Sequence, residues 1–294
     1  MRQAIVDSHI HFWDPARITY PWHSGAPAIA HPYLPADLQA AATSGQVKHA
    51  GVDSIALQGI IFVEADCRPN QRVAEVEWVT ELAEQEPRIQ AIVAAAPLEK
   101  GPEAIHTYLD ALQLYPLVKG IRRLIQSEGP GFCTQPAFVE AVQLLPDYGF
   151  SFDICIKHHQ MEDAIRLVEQ CPGVSFVLDH FGKPAVKDGL LDPWRDHLRT
   201  LASFPNVQAK LSGLATEANH QQWTRNQLRP YIDHTIASFG IDRIFYVGDW
   251  PVSTQAVAYP EWIDILLWST ADLTDEDRNK IFAANARAFY RIGE

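Results

Sequence analysis

The residues that could do chemistry begin at the N-terminus, where Ala4-Ile-Val-Asp-Ser-His-Ile-His11 carries two histidines one residue apart on a short apolar run. Side chains on a strand alternate between faces, so His9 and His11 point the same way, and the same count places Asp7 with them. Two imidazoles at that spacing can hold one divalent cation or one substrate oxygen. They can equally be a hydrogen-bonded pair in a core. The choice depends on what the rest of the chain brings to them.

Several segments bring candidates. Gly248-Asp249-Trp250-Pro251 follows the apolar Ile244-Phe-Tyr-Val, so Asp249 stands at a strand end or caps the next helix. There it could complete a metal site with His9 and His11 or act as general base towards a water. Zinc suits imidazole with one carboxylate and an open position for water. His180, in Leu178-Asp-His-Phe-Gly-Lys-Pro184, could polarise a carbonyl or hold that water; Asp179 beside it is expected on the opposite face as an anchor. Arg122 and Arg123 are neighbours, so one guanidinium could aim at a carboxylate or hydroxyl cluster while the other points away. The same parity argument lets one of His158 and His159 face a site. Glu64 could bind hydroxyls or a metal, or form a rim salt bridge. Lys210 and Ser212 share a parity, and Trp13, Tyr20, Trp22, Tyr33 and Trp250 offer aromatic walls.

These residues need elements to position them, and the chain supplies a regular alternation. Apolar runs at 4–10, 54–64, 89–95, 117–124, 150–156, 174–180, 207–212 and 243–249 read as strands. Helical patterns fall between them: one opening at Leu34-Pro-Ala-Asp-Leu, then 69–86, 102–114, 136–148, 161–170, 193–202 and 221–239. Two more, 256–268 and 274–290, close the chain. Eight strands alternating with helices predict a single α/β domain over residues 1–294, a distorted (β/α)8 TIM barrel. A doubly wound sheet would carry a Gly-rich first turn, and no GxGxxG or GxxxxGK[ST] follows the first strand. In a barrel the reacting groups collect at the C-terminal strand ends. His9, His11, Glu64, Arg122 or Arg123, His158 or His159, His180, Lys210 or Ser212, and Asp249 all stand there. The irregular stretch from Phe12 to Pro35 is long enough to expect a functional loop.

Composition narrows the partners. With 294 residues, 47% apolar, a large core is possible, and a net charge of −12 without a basic stripe excludes nucleic acid as an expected partner. Cys67, Cys133, Cys155 and Cys171 form no CxxC pair, which fits reduced cytosolic thiols and rules out a cysteine zinc knuckle. No apolar run approaches ~18 residues and no signal peptide precedes the first strand, so a cytoplasmic protein with no membrane partner is expected. A homo-oligomer is left open. Without a GxSxG elbow, an activated cysteine or a phosphate loop, hydrolysis by an activated water is the reaction class.

Val6-Asp-Ser-His-Ile-His-Phe-Trp-Asp-Pro15, Phe-Val-Glu-Ala-Asp, Lys-Gly-Ile-Arg, Leu-Asp-His-Phe-Gly-Lys-Pro, Lys-Leu-Ser-Gly-Leu and Gly-Asp-Trp-Pro-Val occur in one order over nearly the whole chain, ending at Asn285-Ala-Arg-Ala-Phe-Tyr290. Together they resemble the amidohydrolase superfamily, in the branch of L-fuconolactonase-like and L-rhamnonolactonase-like sugar lactonases and 2-pyrone-4,6-dicarboxylate lactonase. The resemblance implies an enzyme whose partner is a small-molecule lactone, with His9, His11, His180 and Asp249 catalytic. It implies Asp249 as proton acceptor, and one divalent metal, zinc, on His9, His11 and Asp249. Other members of the branch work without metal, and the absence of a clear carboxylated lysine argues against a binuclear centre. Glu64, Arg122, Arg123, His158, Trp13 and Trp250 are the expected substrate contacts. A sugar or sugar-acid lactone fits the rim better than a dicarboxylate or muconate-type lactone, which would want more arginines. A non-oxidative decarboxylase and a non-enzymatic sugar-acid binder are the alternatives on the same scaffold.

Overall fold

A computed structural model describes residues 2–293. Eight strands lie in one parallel sheet in sequence order: β1 (Arg2–Ile10), β2 (Ser54–Val63), β3 (Ile89–Ala95), β4 (Val118–Arg122), β5 (Ser151–Ile154), β6 (Phe176–Leu178), β7 (Val207–Leu211) and β8 (Ile244–Tyr246). The sheet closes between β8 and β1. Asp249 N donates to His9 O (3.0 Å) and His11 N to Trp250 O (2.9 Å), so the last strand end is bonded to the first. Helices α1 (Pro35–Thr43), α2 (Arg72–Gln85), α3 (Pro102–Gln113), α4 (Pro136–Gln143), α5 (Met161–Gln170), α6 (Trp194–Ala202), α7 (Arg225–Phe239) and α8 (Tyr259–Ser269) alternate with the strands. The expected (β/α)8 barrel is the fold. Among the described residues no helix is long and apolar enough to cross a membrane.

Alternation along the strands sorts the core into two apolar bodies. Val6, Ile61, Val63, Ala91, Val93, Val177, Phe245 and Val247 fill the barrel interior. Their sequence neighbours Ile5, Ile60, Phe62, Ile92, Phe176 and Tyr246 pack outward against the helices. The expected helix at 274–290 is interrupted: α9 (Asp275–Asn279) runs through one π-helical stretch, 280–284, into α10 (Asn285–Tyr290). This segment lays Ala283, Ala286, Phe289 and Tyr290 against the interior residues and plugs the end opposite the site. Tyr290 then reaches upward, its hydroxyl donating to Asp153 Oδ2 on β5 (2.9 Å).

The alternation in β1 is not strict. Pairing with β2 shifts register between Ile5 and Val6 and again between Asp7 and Ile10. Val6 faces the interior and so do His9 and His11, but the extra residue turns Asp7 outward. The expectation that Asp7 shares the histidine face is therefore corrected. Its carboxylate accepts from Gly248 N (2.9 Å), His9 N (3.1 Å) and the Tyr259 hydroxyl (2.8 Å), tying β1 to the end of β8 behind the site. Burial pushes this carboxyl up to about 7 against those hydrogen bonds. Gly248 is required there. A Cβ would stand 2.3 Å from Asp7 Oδ2 and 2.5 Å from the Tyr259 ring.

Helix α2 buries Val76, Trp78 and Val79 and, among them, Glu75. Glu75 Oε1 accepts from Ala65 N (3.3 Å), and burial, reinforced by the charge of Glu64, pushes its carboxyl up to about 8. A carboxyl held above its unfolded value of about 4.3 favours the fold while protonated, and that contribution is lost as pH rises from there through about 8. At ~1.4 kcal/mol per unit the alkaline cost reaches several kcal/mol. Glu75→Gln should therefore unfold at higher urea concentration than the parent at pH 9 and converge with it near pH 5. Parallel curves across that range would contradict the assignment.

Candidate active site

The C-terminal strand ends converge on a cavity of about 340 Å³. Its floor holds His11, Arg122, His180 and Asp249; His9 lies just beneath, fully buried. Asp249 leaves β8 with φ +51°, bonded through its N–H to His9 O, and this fixed backbone aims its carboxylate across the barrel. Its Oδ1 lies 3.6 Å from His11 Nε2, 3.9 Å from His9 Nε2 and 4.0 Å from His180 Nε2. Burial alone would raise the Asp249 carboxyl. The imidazoles of His180 and His11 outweigh it and hold the group below the usual carboxylate range.

His180 does not sit on a strand. β6 stops at Leu178, and residues 179–182 form a tight turn in which His180 and Phe181 have φ of +53° and +56°. The turn resets the alternation, so Asp179 and His180 both face inward. The expectation that Asp179 leaves on the opposite face is thereby corrected. His180 Nδ1 pairs with Ser212 Oγ (2.7 Å), leaving Nε2 towards Asp249 and the cavity. Burial pushes the imidazole down to about 4, so the ring is neutral at pH 7.

Below the floor lies a fully buried charge cluster. Lys210 Nζ contacts Asp153 Oδ2, Asp179 Oδ1 (3.0 Å) and His9 Nδ1 (3.2 Å). Arg122 Nε donates to Glu64 Oε1 (2.6 Å), and its Nη1 lies 3.4 Å from Asp179 Oδ2 and 3.0 Å from His9 Nε2. Burial disfavours the Lys210 ammonium, yet Asp153 and Asp179 hold it charged above its ordinary value. Burial likewise opposes ionisation of Asp179, but Lys210 and His9 keep it well below the usual carboxylate range. Burial and the Lys210 charge push His9 well down, so it is a neutral imidazole.

These contacts bear on a metal. His11 Nδ1 faces the Val63 carbonyl (2.8 Å) and donates to it, so in the neutral ring Nε2 is the nitrogen with the lone pair. His9 Nε2 accepts from Arg122, so it too presents a lone pair, 3.2 Å from His11 Nε2. With Asp249 Oδ1 this makes three electron-pair donors around one point. Among the described residues the buried carboxyl side chains Glu64, Asp153, Asp179 and Asp249 outnumber the buried basic side chains beside them, Arg122 and Lys210. A divalent cation on His9, His11 and Asp249 fits both observations, although it would compete with Arg122 for His9. Asp179 Oδ1, 3.5 Å from His9 Nδ1, stands where a carboxylate orients a ligating histidine.

The other expected contacts divide. Trp13 lines the cavity, its indole donating to His31 O (2.8 Å), and Trp22 stands edge-on to it at 5.1 Å. Trp250 is buried behind the wall against Tyr33 and Phe12. Arg123 points away, to Glu99 (2.9 Å) and Glu128 (2.6 Å), because neighbouring strand residues diverge. Glu64 grips Arg122 instead of facing the cavity. His158 and His159 sit on a helical turn after β5 that carries them off the site: His158 N donates to Lys183 O, and neither ring lines the cavity. The residues missed were Asp153 and the wall residues Asp66, Gln126 and Lys183. Asp153 had a signal: in Phe150-Ser-Phe-Asp-Ile-Cys-Ile156 every second residue is large and apolar, and Ser151, Asp153 and Cys155 are the others.

The family model for Amidohydrolase matches residues 6–292. The chain belongs to the amidohydrolase family and is an enzyme of that superfamily. It is 29% identical to an L-fucono-1,5-lactonase of Burkholderia multivorans, covering 98% of this chain and 96% of that one. It is 22% identical to an L-rhamnono-gamma-lactonase of Scheffersomyces stipitis, with 98% of each covered. Among solved structures, a Burkholderia multivorans amidohydrolase crystallised with bound zinc superposes with a TM-score of 0.83 at 28% identity, covering 99% of this chain and all of that one.

Gly213 (φ +75°), two residues beyond the end of β7, passes against His180; a Cβ there would stand 2.9 Å from His180 Cβ. Gly213→Ala should cost roughly 1–3 kcal/mol in backbone strain, lower Tm by a few degrees and shift the His180 imidazole resonances. Unchanged resonances would mean that the backbone at 213 does not seat the ring.

Proposed function

We propose that the protein hydrolyses a small lactone, a sugar or sugar-acid lactone, to its hydroxy acid. The observation that carries this reading is the convergence of one carboxylate, Asp249, on the three imidazoles of His9, His11 and His180 within 4.0 Å at the floor of a cavity of about 340 Å³. The lactonase names of two full-length relatives support it.

Lactone hydrolysis needs a base for water, a polariser for the carbonyl and an acid for the ring oxygen. Asp249 is ionised and takes a proton from water as the oxygen adds to the carbonyl carbon. His180, its ring held from behind by Ser212, and the Arg122 guanidinium face the oxygen that gains charge. As the tetrahedral carbon collapses, the ring C–O bond breaks and Asp249 returns its proton to the leaving alkoxide. One water is consumed, and the new acid ionises and releases one proton. His9, His11 and Asp249 would hold the metal, zinc, which when bound supplies Lewis acidity at the same carbonyl or water.

Proton release from a panel of five- and six-membered aldonolactones, with and without added zinc, tests the activity; silence across the panel from folded protein would refute it. Asp249→Asn should lower kcat by roughly 10²–10⁴-fold with Tm little changed. Elemental analysis should find one divalent ion per chain, lost in His11→Ala. Metal-free protein of full activity would leave the imidazoles as the carbonyl polarisers.

A further inference from the structure

The segment after β2 is bound on both sides of Asp66. Glu64 Oε2 accepts from Asp66 N (2.8 Å), and Glu64 Oε1 holds Arg122. Ala65 N donates to Glu75, Ala65 O accepts from the Trp22 indole (2.8 Å), and Arg68 N donates to Thr19 O (3.0 Å). These bonds hold Asp66 with φ +53°, a conformation that aspartate, asparagine and glycine tolerate. Asp66 lines the cavity as a solvent-exposed residue, and its carboxylate has no hydrogen-bond or ion-pair partner among the described residues.

A single carboxylate with free lone pairs, beside two indoles and on the wall of a cavity with the reacting groups at its floor, is suited to one kind of ligand group. A carboxylate accepts two hydrogen bonds in one plane, which two vicinal hydroxyls donate. An apolar ring offers it nothing, and an anionic substituent is repelled. Gln126 and Ser127 on the same cavity wall add neutral donors and acceptors. We infer that Asp66 is the specificity-determining residue of the cavity, accepting hydrogen bonds from adjacent hydroxyl groups of an uncharged polyhydroxylated lactone. The inference rests on the lactone-hydrolysis reading. Because Asp66 touches the substrate away from its reacting carbon, its contribution is to choose the substrate.

Asp66→Asn keeps the size and the tolerance for positive φ while removing the charge, and Asp66→Gly removes the group. Each variant is assayed on a polyhydroxylated aldonolactone and on unsubstituted δ-valerolactone. The kcat/KM ratio between the two substrates should fall roughly 10- to 100-fold in both variants, the range of a hydrogen bond to a charged group. An unaltered ratio, whether the two rates fall together or stay the same, would overturn the assignment. If the parent turns over no lactone at all, the lactonase reading fails by itself. Asp66 is then judged by equilibrium binding of gluconolactone: weaker binding to Asp66→Asn upholds it, and equal or absent binding to both proteins overturns it.

Discussion

Lys210 is the point on which the interior of the barrel depends. Its ammonium is wholly buried, and removing such a charge from water costs several kcal/mol before any partner repays it. Repayment comes from Asp153 and Asp179, whose carboxylates are themselves buried and are compensated only by Lys210 and Arg122. None of these groups can be altered alone without stranding another. Their geometry is therefore over-determined, and His9, wedged between Lys210 Nζ and Arg122 Nη1, inherits that rigidity.

The cluster also explains why a barrel with an apolar lower half has a polar upper half. Val6, Val63, Val93, Val177 and Phe245 fill the interior down to the plug made by Phe289 and Tyr290. Above them, one layer of charge replaces one layer of branched side chains, and the Tyr290 hydroxyl on Asp153 joins the two. A fixed layer of charge under a cavity is the arrangement that electrostatic catalysis needs, because dipoles already in place cost no reorganisation when charge develops above them.

The barrel was legible because eight apolar runs alternate with helical patterns and because ionisable residues recur where those runs end. His9, His11, His180 and Asp249 meet across about 240 positions for that reason. Strand parity, however, carries only as far as a strand is regular. The shift in β1 turned Asp7 outward, and the early end of β6 brought Asp179 inward; both depend on local backbone that side-chain types do not announce. Parity sorted Arg122 from Arg123 only once the direction of β4 was known. His158 was misplaced because the chain after β5 turns into a helix before its side chain can face the mouth. The loop residues Asp66, Gln126 and Lys183 have no periodicity to follow.

This division between regular and irregular backbone matches a division of labour. The floor is built from strand ends and one strained turn, cross-braced by ion pairs, and tolerates little change. The walls come from loops: Trp13 and Trp22 from the long first connection, Asp66 after β2, Gln126 and Ser127 after β4, Lys183 after β6 and Gln255 after β8. Loops accept substitution at small cost to the fold. A barrel of this kind can keep one floor while the loops that make its walls change, which is consistent with a TM-score of 0.83 surviving at 28% identity. The two parts touch at Glu64, which holds Arg122 with one oxygen and the Asp66 amide with the other. Through that carboxylate the position of a wall residue is referred to the same buried charges that fix the floor.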